Sequence, residues 1–162
     1  MNITPKKYEL MLDSSIEFMG IKLYRIRALS KFGNIKQGDI GGYVATEKNL
    51  SQIYGNAWVS GDARVSGDAR VSGDARVYGD AQIYGNAQVY GNARVYGDAQ
   101  IYGNARVYGD ARVSGDARVS GDARVSGDAR VYGDAQIYGN AWVSGDARVY
   151  GDAQIYGNAR VS

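Results

Sequence analysis

The chain has 162 residues and carries 19 basic and 17 acidic side chains, but it contains neither cysteine nor histidine. This composition excludes disulfides, thiol nucleophiles, zinc–thiolate sites and a histidine acid–base catalyst. The formal net charge of +2 gives little reason to expect nucleic acid as a partner.

The chain begins with MNITPKKYELMLDSSIEF, in which no apolar run resembles a signal peptide, and no later stretch is long enough to span a bilayer. We therefore expect a cytoplasmic protein without a membrane partner, with association with a virion left open. Apolar side chains alternate along two segments of this region: Tyr8, Leu10 and Leu12, then Tyr24, Ile26 and Ala28. The alternation predicts strands and a hairpin near Met19-Gly20. We interpret residues 1–50 as a β-rich cap and residues 51–162 as a second region.

From Ile53 onward a six-residue unit repeats without insertion or deletion, (Val/Ile)-(Tyr/Ser)-Gly-(Asp/Asn)-Ala-x, and eighteen complete units run to Arg160. Gly with Asp or Asn in every unit would break helices. Ala and Val/Ile stand two positions apart and share one side of a strand, while x and Tyr/Ser share the other. Each unit is thus predicted to be one short strand followed by a corner at Gly-Asp or Gly-Asn.

Substitutions within the repeat recur at every third unit or at a multiple of three units. Ile83, Ile101, Ile137 and Ile155 are spaced in this way. This spacing predicts that residues three units apart are stacked neighbours, so that three units make one coil of a triangular prism. About six coils at ~4.8 Å per coil give a regular part roughly 29 Å long.

The repeat resembles the hexapeptide repeat of left-handed parallel β-helix proteins, with Val/Ile and Ala as the inward residues. The left hand comes from this resemblance, since parallel crossovers are otherwise right-handed. The segment Leu23–Gln52, with GDIGGYV at Gly38–Val44, is also similar to bacterial and phage-borne hexapeptide-repeat proteins, some of which are labelled acyltransferases. We therefore expect an all-β, left-handed parallel β-helix with a β-rich N-terminal cap.

Stacking of every third unit sorts the outward side chains onto three faces. The first face carries a candidate Arg ladder: Arg76, Arg94, Arg112, Arg130 and Arg148, below Trp58 and beside Tyr78, Tyr96, Tyr132 and Tyr150. The second, the Tyr/Gln face, carries the candidate interaction residues: Tyr84, Tyr102, Tyr138, Tyr156, Gln82, Gln100, Gln136 and Gln154. The third, mixed face carries Arg70, Gln88, Tyr90, Arg106, Tyr108, Arg124 and Trp142.

Two interpretations of these ladders stay open. They are ordinary strand residues that stabilise neighbouring coils, or they form a contact surface, because Tyr, Trp and Arg are enriched at binding hot spots. The Tyr/Gln face has the fewest charges, Arg64 and Arg118, so we choose it for self-association. Proteins that this chain resembles are often side-by-side trimers. The C-terminal sequence NARVS either frays or is truncated, or it pairs end to end with a second chain into a dimer.

Catalysis is disfavoured. The acyltransferases that the chain resembles use a histidine base and loops inserted between coils, and residues 53–162 contain neither. No catalytic residue, metal site or cofactor is predicted. The leading hypothesis is a non-enzymatic structural or interaction module, of phage or prophage origin in one version. The alternative is a degenerate acyltransferase that retains acyl-donor binding, or binding of another anionic small ligand between Arg ladders. Partners are therefore a second copy, another protein or such a ligand.

Overall fold

The computed structural model describes residues 5–162, so residues 1–4 of the predicted cap lie outside the described part. Two strands, β1 (Tyr8–Phe18) and β2 (Ile21–Ala28), form an antiparallel hairpin. Its turn residues Met19 and Gly20 have φ angles of 50° and 75°, as a two-residue type I′ turn requires. Strand β3 (Ile40–Val44) pairs antiparallel with β2, and a short 3-10 helix covers Glu47–Asn49.

Within residues 5–162, eighteen two-residue strands follow the cap, one for each x-Val or x-Ile pair of the repeat. In chain order they are β4 (Trp58–Val59), β5 (Arg64–Val65), β6 (Arg70–Val71), β7 (Arg76–Val77), β8 (Gln82–Ile83), β9 (Gln88–Val89), β10 (Arg94–Val95), β11 (Gln100–Ile101), β12 (Arg106–Val107), β13 (Arg112–Val113), β14 (Arg118–Val119), β15 (Arg124–Val125), β16 (Arg130–Val131), β17 (Gln136–Ile137), β18 (Trp142–Val143), β19 (Arg148–Val149), β20 (Gln154–Ile155) and β21 (Arg160–Val161).

These strands form three parallel sheets in which each strand pairs with the strand three units along the chain, as in Arg94↔Arg112 and Val95↔Val113. One sheet has the order β4-β7-β10-β13-β16-β19 and another β6-β9-β12-β15-β18-β21. The third continues through the cap, in the order β1-β2-β3-β5-β8-β11-β14-β17-β20. The predicted parallel β-helix of three strands per coil and six regular coils is confirmed. It is an all-β solenoid consistent with the left-handed type.

The core is a column of Ala and Val/Ile side chains inside the solenoid, and every inward position from Ala57 to Val143 is buried. Burial decreases in the last coil, where Ile155 and Val161 are half-buried and Ala159 is exposed. The corners require glycine because coils stack there backbone to backbone. At Gly97 the φ angle is 68°, and a Cβ would come within 3.0 Å of the Gly115 nitrogen. A larger residue at such a corner would therefore meet both strain and a clash.

The structure departs from the repeat at its first unit. Ile53 and Tyr54 are 59% and 79% exposed, and Leu50 takes the inward position by bridging to Val71. The reason lies in Gln52, whose Oε1 accepts from the backbone nitrogen of Tyr8 at 3.2 Å and whose Nε2 donates to the oxygen of Tyr8 at 3.0 Å. This pairing draws residues 51–54 out of the coil. The eighteen units of the sequence thus begin one unit before the regular coils.

The N-terminal end of the solenoid is closed by side chains of residues 5–56. The Tyr8 hydroxyl donates to the Leu50 oxygen at 2.7 Å, and buried Asn49 donates to the oxygens of Gly67 and Ala69. Strand β3 pairs in parallel with β5, so the cap and the coils share one sheet. The division of the chain at residue 50 stays a prediction.

Candidate functional site: the outward ladders

The candidate Arg ladder lies on one sheet, here called the Arg face, formed by β4, β7, β10, β13, β16 and β19. Arg94, Arg112, Arg130 and Arg148 are exposed, and Arg76 is half-buried because its Nη2 donates to Asn34 Oδ1 at 2.6 Å. Ion pairs in residues 5–162 join Lys6–Glu47, Arg25–Asp62 and Arg27–Glu9, and no ladder arginine takes part. The structure therefore brings the five predicted arginines together as a row of cations without ion-pair partners in the described range.

The Tyr/Gln face lies on the sheet that continues into the cap. Gln82 pairs with Gln100, and Gln136 pairs with Gln154, with Arg118 between the two pairs. The guanidinium of Arg64 lies 4.4 Å from the ring centroid of Phe18, which comes from the cap hairpin. The structure thus brings the predicted Gln and Tyr residues onto one face, and binding of a partner there stays a prediction.

Tyrosines on successive coils stack on one another. The ring centroids of Tyr84 and Tyr102 lie 5.0 Å apart with 2° between the planes, and those of Tyr138 and Tyr156 lie 5.3 Å apart. Partial burial, together with the neighbouring phenol of Tyr102, raises the pKa of Tyr84 above its usual value. The stacks hold the phenol rings in one orientation before any partner arrives.

The corner residues form ladders of two kinds. Asn86 donates to Asn104 at 3.2 Å, and Asn104 donates to Asp122 at 3.1 Å, so the amides link successive coils. The corner between the Arg face and the Tyr/Gln face instead consists of six aspartates: Asp62, Asp80, Asp98, Asp116, Asp134 and Asp152. Of these, Asp62 pairs with Arg25 of the cap at 3.0 Å. Rows of opposite charge therefore run in parallel along the solenoid.

A gap in the Tyr column of the Arg face is a feature to which sequence analysis gave no role. Ser114 occupies the position where coils above and below carry Tyr96 and Tyr132. A cavity of about 320 Å³ opens there, lined by Tyr96, Arg112, Ser114, Arg130, Tyr132 and Arg148. The signal was present in the sequence, because the regular recurrence of tyrosine at every third unit fails at Ser114.

Residues 5–162 contain no group of three or more Asp and Glu side chains placed to hold a metal ion. No helix among these residues is long and apolar enough to cross a membrane.

The comparisons with known proteins concern the coils. A family model described as "Bactofilin: Polymer-forming cytoskeletal" matches residues 48–162, well over half of the chain. No curated protein matches this chain. The prediction of a β-helix protein with a structural role is confirmed at the level of the family. The finer resemblance to hexapeptide-repeat proteins labelled acyltransferases stays a prediction. The chain is a member of the bactofilin family of polymer-forming cytoskeletal proteins.

Proposed function

We propose that this chain is a non-enzymatic structural subunit that polymerises, with the Tyr/Gln face as its lateral contact. The observation that carries the proposal is a long, nearly uncharged and pre-ordered surface on a chain from a polymer-forming family. The sheet that carries this face continues from the coils into the cap, where β1 and β2 bring charged side chains such as Glu9 and Arg27. A lateral neighbour can therefore contact the nearly uncharged part along the coils.

The cost of covering this face is low. Two arginines of the coils lie on this sheet, Arg64 and Arg118. Arg64 already packs on Phe18, so Arg118 is the one whose charge a lateral neighbour would have to desolvate. Desolvating amides and phenols costs less than desolvating unpaired ions. Stacked tyrosines also lose little side-chain freedom on association, because their rings are already ordered.

An end-to-end contact is the second candidate. Strands β19, β20 and β21 each lie at the edge of their sheet, and Ala159 is exposed beside them. Such strand edges favour pairing with another chain. An isologous end contact alone closes at a dimer, so a polymer needs a further surface. The Tyr/Gln face meets that requirement and is compatible with a side-by-side trimer as well.

The test compares two double variants that alter tyrosines in equivalent positions of two faces. Tyr102→Arg with Tyr138→Arg introduces two charges on the Tyr/Gln face, and we expect the assembly to fall to smaller species. Tyr96→Arg with Tyr132→Arg places the same charges on the Arg face and should leave the assembly unchanged. Sedimentation velocity and negative-stain microscopy measure both. An assembly of unchanged mass in the first variant would show that the Tyr/Gln face is not the contact.

A single variant separates the end contact from the lateral one. Ile155→Lys places a charge in the last coil, where Ile155 is half-buried. If Ile155→Lys reduces the mass while Tyr102→Arg with Tyr138→Arg does not, association belongs to the strand edges of the last coil instead of the Tyr/Gln face.

The remaining parts of the hypothesis concern ligand binding, location and origin. Acyl-donor binding by a degenerate acyltransferase is favoured by no contact among residues 5–162, and calorimetric titration with acetyl-CoA, in which a structural subunit gives no heat, tests it. The cytoskeletal family makes the cytoplasm the expected location. A phage or prophage origin and association with a virion stay predictions from the sequence.

A further inference from the structure

The tyrosine column of the Arg face is interrupted by one missing ring. Tyr78 and Tyr96 stack with centroids 4.9 Å apart and 2° between their planes, and Tyr132 and Tyr150 stack at 5.5 Å. Ser114 occupies the coil between these two pairs. The positions of the column therefore stay aligned from coil to coil, but the coil at Ser114 lacks a ring.

The gap has the dimensions of one aromatic ring. Tyr96 and Tyr132 lie two coils apart, which places their rings roughly 10 Å from each other at ~4.8 Å per coil. A planar group midway would lie about as far from each ring as stacked tyrosines lie from one another in this protein, 4.9 to 5.5 Å. The cavity there, about 320 Å³, has room for such a group.

This gap, which we call the Ser114 slot, has arginines along one side. On this side lie Arg112, Arg130 and Arg148, which line the cavity and form none of the ion pairs in residues 5–162. The corner residues Asp116 and Asp134 are exposed and do not line the cavity. A planar ligand in the slot would thus need an anionic group on its Arg side.

We propose that the Ser114 slot binds a nucleoside phosphate. The base stacks between Tyr96 and Tyr132, because aromatic side chains accept any base on its π-face. The phosphate lies on Arg112 and Arg130, whose guanidinium groups match phosphate geometry. The Ser114 slot lies on a different face from the lateral contact, so either proposal can fail without the other.

The Tyr/Gln face provides an internal control for this proposal. Ser120 interrupts its tyrosine column between Tyr102 and Tyr138, at the same level of the solenoid. The side chains that neighbour this gap are Gln100, Arg118 and Gln136. This gap therefore has one neighbouring cation, whereas the Ser114 slot has a row of arginines. The two gaps share their rings and their serine but differ in charge.

The experiment is calorimetric titration of the full chain with ADP, and with adenosine and pyrophosphate as separate ligands. We expect ADP to bind at least tenfold more tightly than either part, because pyrophosphate lacks the stacked base and adenosine lacks the charge-assisted phosphate contacts, and the loss of either is expected to weaken binding ~tenfold. Equal affinities for ADP and pyrophosphate would show that the arginines bind phosphate without any stacking, and would overturn the proposal. A complete lack of ADP binding would do the same.

Three variants assign the binding to the slot. Ser114→Tyr supplies the missing ring and should abolish ADP binding while the chain stays folded, as circular dichroism checks. Ser120→Tyr fills the equivalent gap on the Tyr/Gln face and should leave the affinity unchanged. Arg112→Gln should weaken binding roughly tenfold. Unchanged ADP affinity in Ser114→Tyr, or equal loss in Ser120→Tyr, would place the site elsewhere and overturn the proposal.

Discussion

The capped end of the solenoid and its coils are held together in different ways. At the N-terminal end, Asn49, Tyr8 and Gln52 each make contacts that are not repeated elsewhere in residues 5–162. Along the coils, almost every contact recurs three units later, as in Arg94↔Arg112 and Arg112↔Arg130. A repeat therefore specifies how its coils stack but not how the stack ends. Single side chains must replace the coil that would otherwise lie above the first one.

Asn49 shows how such a replacement works. In the coils, backbone nitrogens such as those of Arg64 and Asp68 donate to carbonyls of the next coil. At the N-terminal end the side-chain nitrogen of Asn49 donates to the oxygens of Gly67 and Ala69 at 3.1 and 2.9 Å. Its Oδ1 also accepts from the nitrogens of Ala45 and Thr46, at 3.1 and 2.9 Å. One fully buried amide thus satisfies four backbone groups.

The largest effect is therefore expected for Asn49→Ala. Because several buried groups lose their partner, we expect the free energy of unfolding to fall by about 3 kcal/mol or more. Asn86→Ala is the matched control, since Asn86 is an exposed amide that donates to Asn104. Its substitution should cost about 0.5 kcal/mol or less.

The two tryptophans allow this effect to be localised. Trp58 is buried beside the cap and contacts Phe32, with ring centroids 5.5 Å apart, whereas Trp142 lies on β18, next to the last strand of its sheet. Urea unfolding followed by Trp58 fluorescence in a Trp142→Phe background reports the capped end. Equal losses in Asn49→Ala and Asn86→Ala would mean that Asn49 does not close the solenoid.

The sequence predicted the coils well because the same contacts recur from one coil to the next. Ile and Gln that recur at every third unit, or at multiples of three, identified stacking partners, and Gly with Asp or Asn identified corners. The exception at Ile53 could not be predicted, because the unit follows the pattern but Gln52 pairs with Tyr8, a contact 44 residues away in sequence. Asn49 also looked like any loop residue, since its role depends on the coil beneath it.

Substitutions of corner glycines test how tightly the coils stack, as Asn49→Ala tests how the capped end is closed. Gly115 and Gly151 have φ angles of 66° and 63°, so alanine meets similar backbone strain at both. A Cβ at Gly115 would lie 2.9 Å from the Gly133 nitrogen, whereas a Cβ at Gly151 meets no atom within 4 Å. Gly115→Ala should therefore lower the free energy of unfolding by about 1–3 kcal/mol more than Gly151→Ala. Chemical denaturation followed by circular dichroism measures the difference, and equal effects would mean that coils do not stack tightly at their corners.

The candidate site was predictable only in its positions. Stacking of every third unit placed Arg112 below Arg94, and Gln100 below Gln82, and the structure has both pairs. The sequence also favoured the Tyr/Gln face because it has the fewest charges, but it could not show which of those charges are already covered or paired. Phe18 covers Arg64 from a hairpin remote in sequence, and the absence of ladder ion pairs within residues 5–162 emerges only in three dimensions.

The smallest expected effect concerns alkaline pH. Partial burial, followed by the neighbouring phenol on the next coil, raises the pKa of Tyr78, Tyr84 and Tyr90 above the usual value. For an acid whose pKa is higher in the folded state, the folded state binds more protons in that range, so stability is complete below pH ~10 and falls as the pH rises further. Substituting all three by Phe keeps the rings and removes the ionisable groups. Between pH 8 and pH 11, the urea midpoint of the parent chain should thus fall more than that of the variant. Burial also raises the pKa of Tyr8 in the cap, which is unchanged in both proteins. The decrease in urea midpoint that the variant still shows at alkaline pH therefore includes the contribution of Tyr8. Equal decreases in the two proteins would mean that the three stacked tyrosines contribute nothing to the alkaline loss of stability.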